Sequence, residues 1–298
     1  MHPTDPNIVY VAAVGHLFGS NPERGLYKSI DGGKTWKLAK FIDNDTGFID
    51  VAMDSVNPKI LYAASFQRRR TWWGTNGGGA GSALWKTMDA GETWTKITGG
   101  GFPAPKDGIL GRIGISVFRA KPTTLYIIAE VGAEGGISVN VGDDGLAPKP
   151  GVPCCGDPGS RNGADRSGVW RSDDAGKTWQ PIANFPNLKE QGWRHEMVCL
   201  ANGWLLASEI LGPGVGGERI RYVLSRHDGA TWGEFFEYYN PGRAIGGRAC
   251  PRTVELGGGN LGVVFYDVEP KQPGGPSVFF LKLAVEAIGR AVQPWTAK

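Results

Sequence analysis

Residues 29–36 read SIDGGKTW, and nearly the same letters return at 87–94 (TMDAGETW), at 172–179 (SDDAGKTW) and, more worn, at 225–232 (SRHDGATW). The shared pattern is Ser/Thr-x-Asp-x-Gly-x-Thr-Trp. A short β-prone run precedes each copy (GLYKS, ALWKT, GVWRS, RYVLS), and alternating residues such as TWKLA or TWTKI follow. Asp and Gly between two such runs predict a hairpin turn. The carboxylates of Asp31, Asp89 and Asp174 accept from turn N–H groups, and glycine permits positive φ. Trp36, Trp94, Trp179 and Trp232 pack under the turn. The repeats are thus read as structural staples, not active sites.

A second phrase recurs upstream of each copy. DPNIVYVAA (5–13), NPKILYAAS (57–65), KPTTLYIIAE (121–130) and NGWLLASE (202–209) each read as a turn followed by an apolar strand, and GNLGVVFYD (259–267) is a fifth member. Ahead of them lie GFIDVAMDSV, GRIGISVFRA, RHEMVCLA and RACPRTVEL, again strand-like. The unit is four strands, A to D, with the repeat at the C–D turn. The repeat positions 31, 89, 174 and 227 are 58, 85 and 53 residues apart. The long middle step reflects an inserted surface loop at about 132–167.

Four-stranded antiparallel units at this period predict an all-β fold, a β-propeller of about five blades in a single domain over 1–298. A six-bladed ring or an incomplete ring is the alternative. Blade one lacks strand A and the last blade lacks a clear strand D. The tail AVEAIGRAVQPWTAK is a candidate edge strand to close the ring; without it a partner must cover the open edges.

Composition narrows the function. The formal charge is +3, and Arg68-Arg69-Arg70 is the one basic tract, so nucleic acid is not expected as a partner. No apolar run approaches a bilayer span. The N-terminus does not read as a secretory leader, and export from the cell is left open. Cys154, Cys155, Cys199 and Cys250 match no zinc pattern. They are read as buried or free thiols, with a bridge from Cys154 or Cys155 pinning the long loop as the alternative. No cofactor and no metal is expected, including at the acidic stretch DNDTGFID (43–50), which lacks the spacing of a calcium loop.

Alternating strand direction puts the A–B and C–D turns on one face and the B–C and D–A connections on the other. Polar groups converging on the second face are the candidate site. Arg112, Arg194 and Arg248 begin strand A in successive blades, and guanidinium forks suit carboxylate or phosphate recognition. Glu130, Glu134, Glu209, Asp267 and Glu269 end B strands on that face, with Glu209 and Asp267 the preferred acid pair. Tyr266 alternates away from Asp267. The loop QRRRTWWGTNGGGAGS offers Arg68, Arg69, Arg70, Trp72 and Trp73 for stacking on a sugar and binding acidic groups, or else forms a rigid lid. Its glycines are not a phosphate loop. His16 and His195 also fall on this side, with His195 a candidate substrate contact.

The turn repeat resembles the Asp box, or bacterial neuraminidase repeat, of sialidases and related propellers. Residues 5–131 are similar to sortilin-like glycosyl-hydrolase repeat proteins, and residues 168–283, with WRHEMVCLANGWLLASEI and GGRACPRTVELGGGNLGVVFYD, look more like sialidases. The resemblance implies a glycoside hydrolase acting on a terminal acidic sugar of glycans. It places Arg194 and Arg248 at arginine-triad positions with Arg112 as a candidate third; with the strand-end pair Asp267 and Glu209 read above, Arg194 and Arg248 make up the expected catalytic set. The early Arg-Ile-Pro segment of sialidases is absent, and Ala249-Cys250-Pro251 stands where relatives place the nucleophilic tyrosine. A non-catalytic glycan- or protein-binding propeller is therefore the alternative. Lyase chemistry with His195 or Tyr266 as base is a third reading. The oligomeric state is left open.

Overall fold

A computed structural model describes residues 2–71, 74–103, 108–133, 168–182, 196–214, 217–242, 251–267 and 277–294. The fold class is that of a β-propeller: all-β, with five antiparallel blades in sequence. Blade one is β1 (Val9–Ala13), β2 (Gly25–Ser29) and β3 (Lys37–Lys40). Blade two is β4 (Thr46–Met53), β5 (Leu61–Gln67), β8 (Ala83–Thr87) and β9 (Thr95–Lys96); a small hairpin, β6 (Arg69–Thr71) with β7 (Gly74–Asn76), interrupts it. Blade three is β10 (Gly108–Val117), β11 (Leu125–Ala133), β12 (Gly168–Ser172) and β13 (Gln180–Pro181). Blade four starts with β14 (Glu196–Cys199), β15 (Leu205–Gly214), β16 (Gly217–Ser225) and β17 (Glu234–Tyr239). Blade five is β18 (Arg252–Leu256), β19 (Asn260–Asp267) and β20 (Ser277–Ala284).

The chain divides into two compact units, Met1–Pro181 with blades one to three and Ile182–Lys298 with blades four and five. In the first unit, Leu26, Phe48 and Ala63 are fully buried between blades one and two. Tyr62, Leu84, Ile113 and Ile127 are fully buried between blades two and three. Each such Leu, Ile or Phe contributes roughly 1.5–3 kcal/mol over its exposed state. In the second unit, Leu206, Tyr222 and Leu224 of blade four pack on Leu261, Val263 and Phe265 of blade five. Sheets with two apolar faces need this stacking.

The tail supplies an edge strand, but to blade four and only after a short helix. Residues Val285–Ala291 form a short helix, α1, whose Ile288 is buried. The following β21 (Gln293–Pro294) pairs with β17, so blade four has five strands and blade five keeps three. Packing explains the route. The Gly289 backbone lies against the Trp204 ring, where a Cβ would come within 2.5 Å, and Arg226 donates to the Gly289 carbonyl at 3.0 Å. Helix α1 is thus anchored over blade four. The loop read at 132–167 lies outside the described residues apart from Gly132 and Ala133, which extend β11; Cys154, Cys155 and Cys250 also lie outside. Cys199 is buried, its thiol 3.8 Å from the Leu200 carbonyl. Among the described residues no helix is long and apolar enough to cross a membrane.

Candidate functional site

The repeat turns are held by their own side chains. In the first, Asp31 Oδ1 accepts from Ser29 Oγ (2.7 Å) and the Thr35 N–H (2.9 Å), while Oδ2 accepts from Thr35 Oγ1 (2.5 Å). Asp89 repeats this with Thr87 and Thr93, and Asp174 with Ser172 and Thr178. Hydrogen bonds to the charged form pull these carboxyls down, Asp31 and Asp174 to about 2 and Asp89 well below its ordinary value. The Trp94 and Trp179 indole N–H groups close on the Gly91 and Gly176 carbonyls at 3.0 and 3.1 Å. Trp179 and Trp232 are buried, whereas Trp36 is 43% exposed. In the fourth copy His227 stands at the Asp position, and Ser225 Oγ still accepts from the Gly229 N–H at 2.9 Å.

Sequence reasoning missed a second use of these turns. The residue after the Asp adopts positive φ: 74° at Gly32, 58° at Ala90, 60° at Ala175 and 53° at Asp228. That twist presents its carbonyl sideways. The Ala90 carbonyl accepts from Tyr10 Oη (2.7 Å) and Lys28 Nζ (2.8 Å) of blade one. The Ala175 carbonyl accepts from Tyr62 Oη (3.3 Å) and Lys86 Nζ (2.8 Å) of blade two. A Tyr on strand B and a Lys on strand C thus rivet each of these blades to the next one's turn. The signal was present in the recurring "YV/YA" and "YKS/WKT" letters.

At the opposite ends of these strands the B–C and D–A connections of the first unit interlock. The Asn21 N–H donates to the Asn44 carbonyl (2.9 Å), Arg68 N–H to Asp45 (3.2 Å), Arg70 N–H to Leu17 (2.7 Å) and Gly79 N–H to Leu110 (3.1 Å). Arg24 is fully buried, donating to the Val14 and His16 carbonyls at 2.8 and 2.9 Å, and holds the first of these loops. Sequence reading did not single it out. His16 Nδ1 donates to the Phe18 carbonyl. Asp43 accepts from the Asp45 N–H and Thr46 Oγ1, so the acidic stretch caps its own turn. Among the described residues no group of three or more His, Cys, Asp or Glu could hold a metal ion.

The glycine run has a packing role. A Cβ on Gly78 would lie 2.6 Å from the Leu110 carbonyl oxygen, and one on Gly111 would lie 2.7 Å from Glu130 Oε2 and 3.0 Å from the Gly77 oxygen. Backbone therefore rests on backbone here, with the Glu130 side chain lying over Gly111. Strand β10 bulges between Leu110 and Ile113, which takes Arg112 out of the ladder. Its N–H instead donates to Glu130 Oε2 at 3.1 Å. Glu130 is exposed to solvent along part of its side chain, yet desolvation by the protein packed around the carboxyl pushes it up from its ordinary value. The Arg112 N–H and the Arg112 and Arg68 guanidiniums pull the other way.

The structure thus brings Arg68, Arg112 and Glu130 together at the end of the first unit remote from the repeat turns. Arg68 lies over the Phe66 ring at 5.7 Å. Arg69 is committed to a latch, donating to Ser20 Oγ (3.0 Å) and Asp45 Oδ1 (3.1 Å), and Arg70 is exposed. In the second unit Asp267 is 1% exposed and accepts from Tyr239 Oη at 2.5 Å, within an aromatic group of Tyr239, Phe265 and Phe279. Glu209 lies in β15 opposite Arg221, and Tyr266 in β19 opposite Val278. Trp72, Trp73, Glu134, Arg194, His195, Arg248, Ala249 and Glu269 lie outside the described residues.

No known family description matches the sequence, and no curated protein matches it. Among solved structures the chain is similar to a GH74 xyloglucanase from Xanthomonas campestris, at 15% identity over 100% of this chain and 38% of that one, TM-score 0.47. It is similar to Trypanosoma rangeli sialidase at 14% identity over 96% of this chain and 41% of that one, TM-score 0.47. It is also similar to YCF48 bound to a D1 peptide, at 14% identity over 94% of this chain and 70% of that one, TM-score 0.41. The chain spans about two fifths of the length of the xyloglucanase and of the sialidase.

Proposed function

We propose that this chain acts on a terminal acidic sugar of glycans as a sialidase-like glycoside hydrolase, its repeat turns being Asp boxes. One arrangement carries the reading: Glu130, crowded and pushed toward its protonated form, beside the guanidiniums of Arg68 and Arg112. Arg68 and Arg112 hold the sugar carboxylate, the planar anion their forked donors match. Glu130 carries the proton that the leaving oxygen needs, since a raised carboxyl stays protonated nearer neutral pH. The test is turnover of fluorogenic sialosides and other acidic glycosides between pH 4 and 8. The expected result is kcat/KM that falls as pH rises through the Glu130 pKa and is lost in Glu130→Gln. No turnover across the panel overturns the hydrolase reading.

A second reading, recognition of an acidic glycan without hydrolysis, is favoured by Asp267. That carboxylate is buried and already accepts the Tyr239 hydroxyl, so it is poorly placed to meet a substrate in the second unit. Saturable binding of acidic sugars that Arg112→Ala weakens, with no product formed, distinguishes it from the first.

A further inference from the structure

The strand that carries Arg112 is held from outside its own blade. Strand β4 of blade two bulges between Phe48 and Asp50, and the Asp50 side chain reaches blade three. Asp50 Oδ1 accepts from the Val51 N–H and Oδ2 from the Ile115 N–H of β10, both at 2.9 Å. Ile115 lies two residues past the bulge in β10 that frees the Arg112 N–H for Glu130. On the intervening residue, Gly114, a Cβ would lie 2.9 Å from the Ile128 side chain, so β10 has little room to shift sideways there. Blade four has a similar clasp, Glu196 Oε2 accepting from the Thr253 N–H of blade five at 2.7 Å. There neither strand carries a register shift. The clasp thus occurs between two pairs of blades, and in blades two and three it adjoins a bulge whose amide holds a carboxylate.

We propose that Asp50 is a positioning residue for Arg112 and Glu130, fixing the bulged segment of β10 so that the Arg112 amide stays on Glu130. The inference rests on the acidic-sugar reading only in taking that pair as the site. Among the described residues the charged groups acting on Glu130 are Arg112 from β10 and Arg68 from the segment before β6. Asp50 acts on it through the strand.

The direction of the Glu130 titration tells positioning from mere loosening. Losing the Arg112 amide removes a donor to the charged form and raises the midpoint further. A blade that merely loosens admits water and brings the midpoint down toward the ordinary carboxylate range. The experiment is a carboxyl-carbon NMR titration of Glu130 in the full chain without sugar, in the wild type, Asp50→Ala and Asp50→Asn. The expected result is an upward shift of half a pH unit or more in Asp50→Ala and a smaller one in the same direction in Asp50→Asn. If Asp50→Ala does not fold, Asp50→Asn decides. An unchanged or lowered midpoint overturns the proposal. In parallel, the affinity for free N-acetylneuraminic acid is expected to weaken threefold to tenfold in Asp50→Ala. The titration needs no ligand, so its failure is distinct from failure of the acidic-sugar reading, which wild-type binding reports.

Discussion

Tyr62 donates its hydroxyl to the carbonyl of Ala175, 113 positions further along the chain, as Tyr10 does to the carbonyl of Ala90. Both phenols are buried, which pushes Tyr10 up to about 12 and Tyr62 higher, so both are protonated donors at neutral pH. Tyr10→Phe and Tyr62→Phe each remove one donor while Lys28 or Lys86 still meets the same carbonyl. Each is expected to cost about 1 kcal/mol in urea unfolding, the usual net value of one hydrogen bond. A loss near zero in both would show that the lysines alone make the rivet.

Ala90 and Ala175 sit at positive φ, where an L-residue is strained by roughly 1–2 kcal/mol. Glycine removes that strain, and its extra unfolded-state freedom returns roughly 0.5–1 kcal/mol of the gain. Ala90→Gly and Ala175→Gly are therefore expected to raise the melting temperature slightly, with the rivets intact because only backbone carbonyls are involved. A lowered melting temperature would contradict the strain.

The repeat turns set an acid limit. Asp31 and Asp174 have folded pKa values of about 2 against an ordinary 3.8. A depressed carboxyl contributes stability that is fully present above its unfolded pKa and lost as pH falls through the folded one. Melting temperature is therefore expected to drop between pH 4 and pH 2, and less steeply in Asp31→Asn or Asp174→Asn, which start lower at pH 7. Equal slopes in wild type and variants would place the acid sensitivity elsewhere.

Arg112→Ala separates two roles of one residue, because its backbone N–H stays on Glu130 while the guanidinium goes. Loss of the positive charge is expected to raise the Glu130 midpoint and to weaken an acidic monosaccharide about tenfold, some 1.4 kcal/mol. Binding followed by isothermal calorimetry at two salt concentrations checks it. An affinity equal to wild type would remove Arg112 from the ligand contact.

Gly78→Ala forces a Cβ to 2.6 Å of a carbonyl oxygen, a contact that backbone must yield to. Overpacking of this kind costs typically 1–3 kcal/mol, readable as a shifted urea midpoint. A tolerated alanine would show that the glycine run is not what lets the loop sit on β10.

The turn repeat made the blades legible because its four copies mark one strand pair each, and the Tyr-containing runs mark the strand before. The site was only partly legible. Arg112 and Glu130 were both nominated, yet their contact depends on a bulge in β10, and a one-residue irregularity leaves little trace in the hydrophobic pattern. Asp267 read as a candidate acid at the end of a B strand. Its burial follows from Tyr239, which sits 28 residues away in another blade. Arg24 was passed over because a lone arginine in a polar loop carries no sign that carbonyls will enclose it.

The pairing of β21 with β17 has a consequence for synthesis. The outermost strand of blade four is supplied by Gln293–Pro294, after all of blade five has been made. The first unit draws its paired strands entirely from residues up to 181 and can assemble while the ribosome is still translating the remainder. Blade four must wait with its flank open, so the second half of the molecule has the longer exposure to wrong partners.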